Sequence, residues 1–177
     1  ATIYDASPAQ YSLYENHDYA NSRGFELELR KNFKNNLAWY MNYTLSRAEG
    51  SAPNDFFHWD VAYLASVYGW HDYNRTFNMS WDQTHVINYG VDYRHPKGFG
   101  LNIIGNYGSG LPYTPTDARG RPIDDPYSAR MPSTAIVNMR AYYDLPLKLA
   151  NVRLYADIDN LLDNSNVNNV FTDTGTP

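Results

Sequence analysis

Apolar and polar residues alternate along most of this chain, and the alternation predicts β-strands. Successive side chains of a strand point to opposite faces, so a period of two marks a strand with one apolar and one polar face. Six runs show this period, and they cover residues 24–33, 37–46, 85–94, 99–107, 134–143 and 152–159. The pattern therefore predicts an all-β chain.

Short and long connections alternate along the chain. Short turns at 34–36, 95–98 and 145–151 follow the first, third and fifth runs, whereas long segments at 47–84 and 108–133 follow the second and fourth. A transmembrane β-barrel has short turns at its periplasmic rim and long loops at its extracellular rim. The alternation favours an antiparallel transmembrane β-barrel segment in which the two long segments are extracellular loops.

In such a barrel the apolar faces contact lipid and the polar faces line the lumen. The positions expected to point away from the lumen include Leu27, Met41, Val91, Ile103, Val137 and Leu154. The charged residues expected to line the lumen are Glu26, Glu28, Arg30, Asp92, Arg94, Arg140, Arg153 and Asp157. The apolar-face aromatics next to the short turns, where an aromatic girdle belongs, are Phe33, Trp39, Tyr93, Phe99 and Tyr143.

Composition narrows the class of protein further. Aromatic residues make up 16% of the 177 residues and include 17 Tyr, whose amphipathic rings suit membrane interfaces and sugar-binding loops alike. No stretch approaches the roughly 18 apolar residues of a transmembrane helix. The net charge of −5 argues against a nucleic-acid partner, and the absence of Cys excludes a disulfide scaffold.

The long segments carry the candidate binding residues. The first is rich in aromatic side chains, and Trp59, Trp70 and Tyr73, together with Tyr113 of the second, are candidates for contacting a substrate by ring stacking. The alternative is a self-packed loop, with a short helix at 61–68, because a long loop has to bury something to be ordered.

Neither loop carries a recognisable metal or catalytic pattern. The acidic and histidine residues weighed as ligands are His58, Asp60, His71 and Asp72 in the first loop and Asp117, Asp124 and Asp125 in the second. Their spacing fits neither a zinc site nor an EF-hand, and no catalytic triad, carboxylate pair or phosphate loop is present. We expect no metal, no cofactor and no enzymatic activity.

Four stretches resemble TonB-dependent receptors, in particular those with a carboxypeptidase-regulatory-like N-terminal domain. Trp81–His85 is similar to an aromatic-Asp-Gln-x-His strand entry, and Tyr107–Pro115 to a Gly-Ser-Gly-x-Pro-Tyr-Thr-Pro segment. The pair Arg130–Pro132 and Asn138–Tyr143 resembles the next descending strand. Asp159–Asn166 is similar to an Asn-Leu-Phe-Asp element, with Leu162 in place of the usual aromatic. Their order and spacing make the match specific.

The resemblance implies a plugged barrel of about 22 strands, of which this chain supplies about six within one barrel domain. The sixth run is then the penultimate strand, and the plug, the earlier strands and the final strand lie outside the sequence. The implied function is TonB-coupled import of a scarce solute across the outer membrane of a Gram-negative bacterium. The implied partners are outer-membrane lipid and lipopolysaccharide, the receptor's own plug, and TonB–ExbB–ExbD.

Two other hypotheses stay open at this point. One is a passive, porin-like or structural outer-membrane barrel, which would lack a plug and a TonB box. The other is a soluble, Tyr-rich, carbohydrate-binding β-sandwich, which would bury its apolar faces between two sheets. The sequence does not identify the solute.

Overall fold

The computed structural model describes residues 2–6, 9–13, 19–51 and 76–177, and the regular structure in these ranges is β. None of these ranges contains a helix long and apolar enough to cross a membrane. The strands are β1 (Thr2–Ala6), β2 (Ala9–Leu13), β3 (Ala20–Lys34), β4 (Leu37–Gly50), β5 (Phe77–Asn78), β6 (His85–Arg94), β7 (Phe99–Gly108), β8 (Pro112–Tyr113), β9 (Ala129–Arg130), β10 (Thr134–Pro146) and β11 (Asn151–Ile158).

The six long strands form one antiparallel sheet in the order β11-β10-β7-β6-β4-β3, with β5 paired to the far end of β4. They are the six predicted strands, although β3, β4 and β10 run several residues past the predicted bounds. Two small antiparallel ladders, β1 with β2 and β8 with β9, were not predicted. Each long strand lies beside its predecessor among the long strands, as in an up-and-down barrel wall.

Two tight turns follow from local chemistry. Asn35 and Asn36 have φ angles of 54° and 64°, and two consecutive positive φ angles define the type I′ turn that matches the twist of a hairpin. Asparagine tolerates this conformation better than other residues with a side chain. At the next short turn Gly98 has φ of 92°, and its N–H donates to the carbonyl of His95 over 3.0 Å. The strand ends joined by the short turns are called the short-turn end of the sheet below, and the opposite strand ends are called the long-loop end.

The strand register gives the sheet one apolar and one polar face, as the alternation predicts. One continuous cross-strand row is Trp39, Val91, Ile103, Met139 and Ile158. The neighbouring row on the opposite face is Ala38, Asp92, Asn102, Arg140 and Asp157. These two faces are called the apolar face and the polar face.

Phe33 departs from its predicted position. The pairing of β3 with β4 shifts between Lys31 and Lys34, so an extra residue of β3 opposes Ala38 and the facing of the strand reverses. The Phe33 ring lies 5.0 Å from the guanidinium of Arg94, which belongs to the polar face. The prediction that Phe33 joins the aromatic girdle on the apolar face is therefore wrong, because a bulge is invisible to a period-two pattern.

The apolar face stays exposed. Leu27 is 37% exposed and Leu154 is 57% exposed, although a soluble sandwich would bury such residues between its sheets. Within the described ranges the buried aliphatic and aromatic residues are Ala48, Phe77 and Val170. These three lie at the long-loop end, so the core of the described structure is among the loops, and the sheet itself is a single layer.

Candidate functional site

The polar face is lined by ion pairs at the short-turn end. There the sheet forms an open hollow of about 1150 Å³ whose lining includes Asn102, Arg140 and Arg153. Three guanidinium groups on this face each donate two hydrogen bonds to one carboxylate, a geometry that fixes both partners. The pairs are Arg94–Asp92 at 3.1 and 2.7 Å, Arg140–Asp157 at 2.5 and 2.8 Å, and Arg153–Asp144 at 2.6 and 2.9 Å.

Each of these guanidinium groups also lies over an aromatic ring. Arg153 lies 4.3 Å from the ring centroid of Tyr142, and Arg140 lies 5.6 Å from that of Tyr155. Arg94 occupies the corresponding place over Phe33. Stacking and ion pairing together neutralise this end of the polar face and leave its cations little capacity for a further anion.

The charges on β3 are different. Glu26, Glu28 and Arg30 lie on the polar face of this outer strand. None of the three has an ion-pair or side-chain hydrogen-bond partner within the described part of the chain. All three are exposed, so they are free to bind groups from outside the sheet.

A row of amides crosses the middle of the polar face. Asn42, Asn88 and Asn106 lie on adjacent positions of β4, β6 and β7, and Glu28 continues the row on β3. Asn106 Nδ2 donates to Asn88 Oδ1 over 2.7 Å. This row offers neutral donors and acceptors where the short-turn end offers ion pairs.

Three tyrosine rings cover a glycine of the neighbouring strand within the described ranges. A Cβ on Gly90 would stand 2.4 Å from Tyr40 Cε1, and one on Gly100 would stand 2.2 Å from Tyr142 Cζ; both pairs are on the polar face. The third pair, Tyr89 over Gly105, is on the apolar face, where the corresponding distance is 2.1 Å. Glycine is required because any side chain would lift the ring off the sheet.

A buried ion pair organises the long-loop end. Asp82 is 1% exposed, and its Oδ1 accepts the Ala48 N–H over 2.6 Å while its Oδ2 accepts Arg130 Nη2. Arg130 Nη1 also donates to the carbonyls of Asp82, over 2.8 Å, and of Gly110, over 3.3 Å. A buried carboxylate is stable only with such partners. The sequence pattern did not identify this contact.

Gly110 completes the junction. Its backbone passes so close to the Met131 carbonyl that a Cβ would stand 1.6 Å from that oxygen, and the Met131 N–H donates to the Leu111 carbonyl over 2.9 Å. The stretches 81–85, 107–115 and 130–132, which the sequence resemblance singled out, therefore meet at one place.

The fourth stretch covers an open edge. Strand β11 pairs with β10 only from Met139 onward, and residues 160–166 bind the remaining edge. The Leu161 N–H donates to the Val137 carbonyl over 2.7 Å, and Asn166 Oδ1 accepts the Ala135 N–H over 2.7 Å. The Leu161 main-chain N–H and the Asn166 side-chain amide thus take the place of the main-chain partners that a longer β11 would have supplied.

Tyr113 is the one substrate-contact candidate inside the described ranges. It is half-buried on β8, opposite Ala129. Its hydroxyl group lies close to Gly175, because a Cβ on Gly175 would stand 2.6 Å from the hydroxyl oxygen. The neighbouring Thr116 N–H donates to the Thr172 carbonyl over 3.0 Å, so the chain's last residues flank the second loop. Trp59, Trp70 and Tyr73 lie outside the described residues, as do His58, Asp60, His71, Asp72 and the segment predicted as a helix.

The described part of the second loop holds no group of three or more metal-ligating side chains. Asp117 Oδ1 accepts the N–H groups of Arg119 and Arg121, over 2.8 and 2.9 Å, and its Oδ2 accepts Arg121 Nε over 2.7 Å. Hydrogen bonds from the Arg121 main-chain N–H and guanidinium hold the pKa of the Asp117 carboxyl below its usual range. Asp117 therefore closes a turn.

The family model described as "TonB dependent receptor-like, beta-barrel" matches residues 2–161. The chain belongs to this family. No curated protein and no solved structure matches it. As a receptor barrel, it is an antiparallel transmembrane β-barrel segment of the outer membrane, which agrees with the single-layer sheet and its exposed apolar face. Its function class is transport, and members of this family are transporters rather than enzymes.

Proposed function

We propose that this receptor barrel imports a scarce solute by TonB-coupled active transport across the outer membrane of a Gram-negative bacterium. The observation that carries the proposal is the single-layer sheet, whose apolar face is exposed and whose other face carries ion pairs and amides. Lipid would cover the first face and a polar lumen the second. The lumen-facing charges are then Glu26, Glu28, Arg30, Asp92, Arg94, Arg140, Arg153 and Asp157.

The outer strands support a larger barrel. In the described sheet β3 and β11 each have a neighbour on one side, and an unpaired strand edge is costly in lipid. We infer that further strands of the same barrel flank both, that residues 1–177 belong to one barrel domain, and that 47–84 and 108–133 are extracellular. The plug, the earlier strands and the final strand complete the receptor, and the plug links it to TonB–ExbB–ExbD.

The loops would meet the solute first. In this arrangement Tyr113 and the aromatic residues Trp59, Trp70 and Tyr73 contact the solute before it reaches the plug. In the intact receptor we expect the fourfold replacement by Ala to weaken solute binding while the barrel still assembles, because these positions lie outside the membrane-spanning alternation. Unchanged binding would assign the aromatic residues to loop packing.

TonB dependence is the direct test of the proposal. Cells carrying the intact receptor would be given radiolabelled probes from four classes, a ferric siderophore, cobalamin, a neutral oligosaccharide and a peptide, in the presence and absence of TonB. The proposal predicts that one class enters only when TonB is present and still binds when TonB is absent. Uptake that is unaffected by TonB would instead establish a passive, porin-like barrel.

A further inference from the structure

A second hollow lies on the polar face above Gly90. Its volume is about 550 Å³, and its lining includes Glu28, Arg30, Tyr40, Asn42 and Ile104. That volume falls within the ~300–1,000 Å³ typical of small-molecule sites. Unlike the hollow at the short-turn end, its lining comes from β3, β4, β6 and β7, and it contains Glu28 and Arg30, two of the three unpaired charges of β3.

The floor of this hollow is a flat aromatic ring. Tyr40 lies across Gly90, leaves 38% of its surface exposed, and stands next to Ile104, which pairs with Gly90 from the other side and is 49% exposed. The equivalent ring at the short-turn end, Tyr142, has the Arg153 guanidinium over it. In the described part of the chain no guanidinium lies over Tyr40, so its outer surface can stack on a ligand.

The lining is polar, and its charged residues are two acids and two bases. Glu28 and Arg30 are both without a partner in the described ranges and contribute opposite charges, as do Asp92 and Lys31. Asn42 and Asn102 add amide groups, which both donate and accept. A carboxylate, a guanidinium and amides arranged around an apolar ring can bind several hydroxyl groups while the ring contacts C–H groups. Because the lining holds both signs of charge, a strongly anionic or cationic ligand would meet repulsive charges.

We propose that the hollow above Gly90 is a saccharide-binding subsite on the barrel wall. One sugar ring stacks on Tyr40, and its hydroxyl groups bond to Glu28, Arg30 and Asn42. This inference rests on the proposed import function and names the class of solute, a neutral oligosaccharide. Gly90 is a positioning residue, because its lack of a side chain lets the ring lie on the sheet.

The test is a titration calorimetry series on the purified intact receptor. The probes are maltotetraose, cellotetraose and xylotetraose, with ferric desferrioxamine as the non-saccharide comparison. We expect one tetrasaccharide to bind, Tyr40→Ala to weaken it about tenfold, the equivalent of ~1.4 kcal/mol, and Tyr40→Phe to keep most of the affinity. Gly90→Ala should also weaken binding, because the added methyl group would tilt the Tyr40 ring without removing it.

Tyr142→Ala is the matched control, because it also removes a polar-face tyrosine that covers a glycine. Its ring is already stacked by Arg153, so we expect tetrasaccharide affinity within about twofold of wild type, a difference of ~0.4 kcal/mol. Heat-modifiable migration on gels would check that each variant is folded. Equal losses for Tyr40→Ala and Tyr142→Ala would overturn the subsite.

Two further outcomes separate the subsite from the transport proposal. A receptor that takes up ferric desferrioxamine with TonB, and binds none of the three tetrasaccharides, would overturn the saccharide subsite and leave TonB-coupled import in place. A receptor whose uptake of every probe is independent of TonB, yet binds a tetrasaccharide through Tyr40, would overturn the import proposal and support the subsite.

Discussion

The carboxylate of Asp82 and the guanidinium of Arg130 form an ion pair between residues 48 positions apart, and the Asp82 side chain has no exposed surface. Through the same two residues, the end of β4 at Ala48 and the turn at Gly110 are joined. The pair thus ties the start of β6 to both strands of the second loop, and it gives a physical reason for three of the sequence stretches that mark the family.

Breaking this pair should destabilise the receptor. Replacing Asp82 removes the acceptor of the Ala48 N–H and leaves Arg130, whose side chain is 32% exposed, without its carboxylate partner, which should cost about 3 kcal/mol. We expect Asp82→Ala to lower the free energy of unfolding by that amount, measured by urea unfolding of the intact receptor in liposomes.

The control is Asp144→Ala. The Asp144–Arg153 pair is also bidentate, but its side chains are 45% and 57% exposed, so solvent screens it and its loss should cost clearly less than the loss of Asp82. Equal costs for the two variants would show that burial of Asp82 has no energetic role.

The two faces should respond differently to an added charge. Arg in place of Val91 or Ile103, which oppose each other on the apolar face, should cost roughly 2–4 kcal/mol because a cation would enter lipid. Arg in place of Asn102, one residue away on the polar face, should cost less. Folding equilibria of the intact receptor in liposomes measure all three, and equal costs would contradict the face assignment.

The hydrogen bonds that residues 160–166 make to the open edge of β10 can be tested by replacing asparagines. Asn166→Ala removes the acceptor of the part-buried Ala135 N–H and should cost about 1–2 kcal/mol locally. Hydrogen exchange of a peptide spanning 134–138 should accelerate. Asn168, exposed and without a hydrogen-bond partner among the described residues, is the matched control, and Asn168→Ala should leave the exchange of that peptide unchanged.

Acid should open the turn closed by Asp117. Because the folded pKa of its carboxyl is lowered, its contribution is present above the unfolded pKa of about 3.9 and is lost as the pH falls through the folded value. Asp117→Asn should therefore speed hydrogen exchange of residues 117–121 at pH 6, relative to wild type. The difference between variant and wild type should shrink as the pH falls below the unfolded pKa towards the lowered folded pKa of Asp117, and a difference that grows with acid would contradict this prediction.

Local patterns predicted the sheet well because each long strand carries its own period of two and each short turn its own turn residues. The pairing of Val91 with Ile103, for example, follows from the turn at 95–98 and the facing of both strands. The bulge near Phe33 escaped prediction, since it depends on how β3 meets β4 rather than on the composition of β3.

The sequence pattern could not predict contacts between segments that are distant in the chain. Asp82 and Arg130 lie in separate loops, and nothing local indicates that one buried carboxylate would need that arginine. The hollow above Gly90 combines β3, β4, β6 and β7, so its lining exists only once the register is fixed. By contrast, the polar-face charges could be predicted individually, because facing alone decides them.

The most direct test of the barrel assignment compares two adjacent residues in the membrane. The chain has no Cys, so Ile103→Cys and Asn102→Cys can each carry one spin label, provided that the rest of the intact receptor is also free of cysteine. Power-saturation measurements in liposomes would compare the accessibility of each label to oxygen, which concentrates in lipid, and to a water-soluble nickel chelate. We predict that the label at 103 favours oxygen and the label at 102 favours the chelate. Reversed preferences, or the same preference at both sites, would contradict the account.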